Sequence, residues 1–266
     1  MLTLIISFAI GVLCTWAVGK DHGTSAGVFS GLGAMLVFQI IAGLTLRKLV
    51  NKKQVAVQEI LMDAQNRIQK QINLFQKRPP SSQNAARQAL EKIQNDAARK
   101  ALEATDSFKP YYIWNLMLKK QINTMKMQLL FQLGEFKKVD EILPKCFLID
   151  QQSLAIKMVR LYKTDDTQLA KFYKKKCTRL KGDACAFVAS VYAWILLKQN
   201  NVQGAVDVLL TAKNKTDHPV VVENFERLAN GKVKQFSNSG FGDIWYSLGL
   251  EEVKVKAQKQ KMPRPF

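Results

Sequence analysis

Histidine is nearly absent from this chain, with His22 and His218 the only two in 266 residues. So few imidazoles argue against a His-based metal cluster and against a Ser–His–Asp or Cys–His relay. Cysteine is scarce and poorly spaced for metal chemistry. Cys14, Cys146, Cys177 and Cys185 form no C-x-x-C pair, so neither a zinc site nor a disulfide framework is expected, and all four read as buried thiols of a reducing compartment. No G-x-S-x-G occurs, and Gly27, Gly31 and Gly33 lie in an apolar run with no G-K-[ST] behind them, which removes a phosphate loop. Two carboxylate pairs remain, Asp165-Asp166 and Glu251-Glu252. Adjacent side chains diverge on a helix, so these read as a cap or turn and as a solvated face. No catalytic residue, cofactor or metal site is expected.

Acidic residues are missing from the start of the chain, where Asp21 is the only one before Glu59. Residues 2–19 and 26–46 carry no charge at all. A membrane-spanning helix needs about 20 mostly apolar residues to cross a hydrocarbon core of roughly 30 Å. The second run meets that length, and the first nearly does once Met1 is counted. A cleaved signal peptide would need a basic leading region, but no Lys or Arg precedes Lys20. Leu13 before Cys14 does not fit a lipoprotein site either. Two retained spans are expected, joined by a short loop over residues 20–25.

Orientation follows from the cations. Arg47, Lys48, Lys52 and Lys53 follow the second run, whereas the loop offers Lys20 offset by Asp21. Basic short flanks stay in the cytoplasm, which predicts residues 47–266 inside, at a bacterial inner membrane by default. Within the spans, Gly27-x-x-x-Gly31 forms a small-residue face that lets helix backbones approach closely. It serves either an oligomer or, as favoured here, the packing of one span on the other. Gln39 is the one strongly polar side chain deep in either run.

The net charge of +19 suits contact with anionic lipid headgroups or with nucleic acid. For a tethered chain, lipid is the more economical partner and nucleic acid the less favoured one. The densest basic stretch is Lys171, Lys174, Lys175, Lys176, Arg179 and Lys181, with Phe172 and Tyr173 among them. It reads as an anion-binding face or as a solvated helix end complementing the helix dipole.

Strand-like alternation is lacking beyond residue 46, and the fold class predicted is all-α. Residues 47–77 read as one long helix leaving the membrane, with an apolar stripe of Val57, Leu61, Ala64, Ile68, Ile72 and Phe75. That stripe serves either a short coiled coil or packing on the domain behind it. Pro79-Pro80 ends it, and Ser81 or Ser82 caps a helix over 83–104 striped by Ala86, Leu90, Ile93, Ala97 and Ala101. Phe108, Tyr111, Tyr112 and Trp114 then cluster. They suit base stacking, the bilayer interface or, as favoured, the core of a helix junction.

Three segments repeat a turn followed by a helix: LGEFKKVDEIL from Leu133, KTDDTQLAKFY from Lys163 and KQNNVQGAVDVLLTA from Lys198. Val139, Ala170 and Ala205 occupy equivalent places, 31 and 35 residues apart. Over residues 109–230 the chain resembles the tetratricopeptide (TPR)-like helical-repeat superfamily, whose period is near 34 residues. The resemblance implies an α-solenoid with helix pairs at 111–133 and 136–147, 153–162 and 167–176, and 183–198 and 202–211. It also implies that the first helix of each pair lines a groove for a protein partner. On this chain Asn115, Lys119, Asn123, Lys157, Arg160 and Tyr192 occupy those positions, and their basic members suit an acidic ligand.

The expected organisation is a transmembrane hairpin (1–46), a basic juxtamembrane helix (47–80), a TPR-like domain (81–230) and a tail (231–266). One more helix follows His218-Pro219 to Ala229, and in the tail Trp245 with Leu248 either caps the repeats or docks a partner. The last ten residues read as disordered. The function implied is a membrane-anchored scaffold or adaptor in a membrane complex, and the alternative is a tethered module binding RNA, the ribosome or anionic lipid.

Overall fold

Every regular element among the described residues is helical, with no strand. The computed structural model describes residues 2–164 and 166–252; the basic end read as disordered falls outside them. The chain divides into two compact units, Met1–Phe147 and Leu148–Phe266.

The first unit opens with α1 (Leu2–His22) and α2 (Thr24–Lys77). Only Gly23 separates them, at φ 86°. The expected six-residue loop is therefore reduced to one residue, because glycine alone enters that left-handed region without a side-chain penalty. α2 runs without interruption for 54 residues, about 80 Å at 1.5 Å per residue. Its second half is held by α3 (Gln83–Ala104), capped by Ser82, which accepts from Ala85 N at 3.1 Å. Val57 and Ala64 of α2 are buried, as are Ala97, Ala98 and Ala101 of α3. Small side chains on both helices let the backbones approach closely. Phe108, Leu118, Ile122 and Leu129 complete this core; the start of the α2 stripe, Val57 to Ala64, packs within its own unit, and Ile68, Ile72 and Phe75 are half-buried.

A 3-10 turn (Thr105–Tyr111) connects α3 to α4 (Leu116–Gln132). The helix expected from residue 111 thus starts five residues later. Pro110 has no N–H to continue an α-helix, and Asn115 then caps α4 by accepting from Met117 N (2.9 Å) and Leu118 N (3.3 Å). Asp106 of the turn is held below the ordinary carboxylate range by hydrogen bonds from Lys126 and Lys109, at 2.8 and 2.9 Å. The short α5 (Phe136–Ile142) closes the unit.

The second unit holds α6 (Gln151–Thr164), α7 (Leu169–Lys176), α8 (Gly182–Lys198), α9 (Val202–Lys213) and α10 (Pro219–Ala229). α8 is its axis: residues 185–196 are buried on every side, as befits a helix apolar all round. α6, α9 and α10 pack on it. Phe241 and Trp245 from the tail set their rings against Phe187 and Trp194 at centroid distances of 5.3 and 6.0 Å. Trp245 and Leu248 are fully buried.

The helix ends share one device. Gly134 after α4, Asn200 after α8 and Gly231 after α10 all have φ between 59° and 73°. The next residue's N–H reaches back to a carbonyl five positions earlier: Glu135 to Leu130, Asn201 to Leu196 and Lys232 to Arg227. This is the Schellman closure, which satisfies carbonyls left open at a helix end. α6 instead leads into a 3-10 turn (Asp166–Gln168). There the equivalence of Ala170 with Val139 and Ala205 needs correction. Ala170 is exposed, whereas Leu169 is buried to the same degree as those two residues. The 3-10 turn rotates α7 so that the preceding residue faces inward.

Candidate functional site

In the first unit, α1 and the start of α2 approach most closely at small residues, with Met35 set against Gly11. A side-chain carbon on Gly27 would sit 2.5 Å from Thr15 O, and one on Gly31 would sit 2.6 Å from Gly11 O and collide with Thr15 Oγ1. Gly27 and Gly31 thus face α1, while Gly33 faces open space. Ser7, fully buried, accepts from Gln39 Nε2 at 2.8 Å, and Gln39 also donates to Thr3 O at 3.4 Å. The pairing runs in opposite chain directions, Gly19 near Gly27 and Ser7 near Gln39. Outside this seam the surface is apolar: Trp16 is 70% exposed and Phe29 76%.

Immediately beyond, Arg47, Lys48 and Lys52 are exposed on α2 and Lys53 is half-buried. The other basic cluster is two-sided. Lys171, Lys174, Lys175, Lys176, Arg179 and Lys181 are exposed, whereas Phe172 and Tyr173 among them are half-buried. Tyr173 stacks on Tyr192 at 4.1 Å, and burial raises its phenol pKa. Burial likewise pushes the Cys177 thiol up to about 12, and Cys146 in the first unit up to about 11. The cluster offers cations to an anion, while Tyr173 is committed to its stack on Tyr192.

The six residues expected to line a partner groove are divided equally between the units. Asn115, Lys119 and Asn123 belong to α4 and its cap; Lys119 is exposed, and Asn123 Nδ2 donates to Lys145 O at 3.2 Å. Lys157 and Arg160 belong to α6 and Tyr192 to α8. Lys157 is half-buried, while Arg160 and Tyr192 are each only 8% exposed. Arg160 and Tyr192 therefore serve the interior of their unit, and Asn115 serves its helix cap.

Sequence reasoning missed two polar networks of the second unit. Asn224 and Asn238, both fully buried, share a hydrogen bond of 3.0 Å, and Asn238 Nδ2 donates to Ser190 O at 3.0 Å. Glu251, read as part of a solvated face, accepts from both Trp194 Nε1 (2.7 Å) and Trp245 Nε1 (3.0 Å). Residue type carries no signal for either, because the partners lie 48 and 57 positions apart. Of the cluster ending at Trp114, Phe108 is fully buried and the other three are half-buried. No group of three or more His, Cys, Asp or Glu side chains suited to a metal ion occurs among the described residues. Comparison with protein-family models, with curated proteins and with solved structures finds no match to this chain.

Proposed function

We propose that this chain is a membrane-anchored scaffold. Residues 1–46 form a two-span hairpin in the bilayer, and the helix pairs beyond it, TPR-like in their turn-and-helix pattern, hold a protein partner in a membrane complex. The observation that carries the anchor is a contrast in burial. α8 is as apolar as α1 but is sheathed by its own unit, whereas α1 and the start of α2 are apolar and bare, with only 11% of each apolar window buried. Burying a large apolar side chain is worth about 1.5–3 kcal/mol relative to leaving it in water. A row of them from Leu4 to Leu44 at 49–76% exposure is suited to lipid. The basic flank from Arg47 to Lys53 orients residues 47–266 toward the cytoplasm.

The anchor is tested by alkaline carbonate washing of membranes carrying the full chain: retention in the pellet is expected, and release would overturn it. Protease added from the outer side should leave residues 81–266 intact; their loss would overturn the orientation. Crosslinking in intact membranes with mass spectrometry should recover one reproducible protein neighbour, and the absence of any would overturn the scaffold.

A second reading rests on the exposed cations of α7, which favour an anionic ligand such as lipid headgroups or RNA. Steeply salt-dependent RNA binding by residues 54–266 is its test.

A further inference from the structure

The turn between Tyr112 and α4 lies outside both apolar runs, yet it exposes apolar side chains: Ile113 is 60% exposed and Met117 42%. Its position is set by backbone contact. The Leu2 N–H donates to Ile113 O at 3.2 Å, placing the turn against the first residue of α1. Trp114 and Met117 form one wall of a groove of about 370 Å³ whose other wall includes Thr3 and Leu4 of α1 and Gly43 and Leu46 of α2. Leu46 ends the second apolar run, and Leu2, where α1 begins, lies toward the same end of the antiparallel pair, beyond the Ser7–Gln39 contact.

We propose that residues 113–117 form a third membrane contact, seated in the phospholipid interface where α1 begins and the apolar part of α2 ends. The inference rests on the membrane reading above and adds a depth to it. If α1 spans, Leu2 lies at one face of the bilayer, and Ile113, bonded to it, lies at the same face. Gln39 also lines the groove, and the rise from Gln39 to Leu46 covers about 10 Å of helix, so the groove reaches from the headgroup level into the edge of the acyl region. A half-buried indole at this level, Trp114, suits the interface, the usual place of tryptophan at a bilayer. Charge agrees with an anionic surface. Arg47, Lys48, Lys119 and Lys120 are exposed, and no Asp or Glu occurs in residues 107–134 or 22–58. Unit one then lies against the bilayer, with the start of α4 fixed at its surface.

The test is the depth of a nitroxide in the full chain, with Cys14 and Cys146 replaced by alanine, in nanodiscs of phosphatidylcholine and phosphatidylglycerol. Labels are placed at Ile113→Cys, at Leu36→Cys inside the second run and at Glu91→Cys on the exposed side of α3. Collision with oxygen and with a water-soluble nickel chelate ranks them. The expected order of the oxygen-to-nickel ratio is 36 above 113 above 91. A ratio at 113 equal to that at 91, with 36 still high, overturns this contact and leaves the spans standing; a soluble protein partner on the patch would give the same aqueous result. Low ratios at all three positions overturn the membrane reading, and this inference with it. Met117→Cys supplies the same measurement should the Ile113 variant not fold.

Discussion

Single residues in the second unit carry much of its specificity. Asn224 donates to Ser237 O at 2.9 Å and accepts from Ser237 N at 3.1 Å, so one amide satisfies both backbone groups of a residue that has left regular structure. Removing it strands those groups and Asn238 Oδ1 in the interior. An unsatisfied buried polar group costs about 1–3 kcal/mol. Asn224→Ala is therefore expected to lower the urea midpoint of the detergent-solubilised protein by that equivalent, and an unchanged midpoint would refute the network's role. Cys177 provides a pH prediction. Its thiol titrates near 12 in the folded chain against 9.0 for an ordinary thiol. Between those values the unfolded chain has lost a proton that the folded chain retains, so stability falls as pH rises from 9 toward 12. Maleimide at pH 7 should modify Cys177 only after denaturation. Modification of the native protein at the rate of an exposed thiol would contradict its burial.

At the scale of elements, the two long contacts of α2 depend on small side chains. Gly31→Leu places a side chain where Gly11 O and Thr15 Oγ1 already sit, so α1 and α2 must separate. With Cys14 replaced by alanine, cysteines at Ser7 and Gln39, whose side chains now meet at 2.8 Å, should form an oxidative crosslink. Adding Gly31→Leu should abolish most of it, and an undiminished yield would place the helices otherwise. Farther along, Ala98 is fully buried in the α2–α3 contact. Ala98→Leu overpacks that contact, with an expected cost of about 1–3 kcal/mol, read as a lower melting temperature by circular dichroism in micelles. A melt like that of the parent would mean that the layer yields more easily than its alanine packing implies.

At the scale of the whole molecule, each unit has a core of its own. The second is built around α8, and residues 148–266 expressed alone should give a helical protein with a cooperative thermal transition; a broad, featureless melt would show that the first unit is required. Much of the chain's course was legible in local sequence. The helix over Gln83–Ala104, the helix over Pro219–Ala229 and the passage of α2 through residues 47–77 agree with expectation, because periodic apolar residues and the breaks at Pro79-Pro80 and Pro219 act over a few positions. The candidate site was legible in the exposed cations of α2 and α7 and in the small residues Gly27 and Gly31, which face α1. Arg160 and Tyr192 were placed in a groove by helix position and turned out to be interior, since periodicity assigns a face to a helix but not what covers that face. Local sequence thus determined two long apolar helices, a helical remainder and a basic flank. Tertiary structure alone decided that α8 is sheathed, that Leu169 rather than Ala170 turns inward, that Glu251 bridges two indoles and that Ile113 meets Leu2. Each of these depends on groups distant in sequence coming within a few ångströms, and no residue's neighbours along the chain record such a meeting.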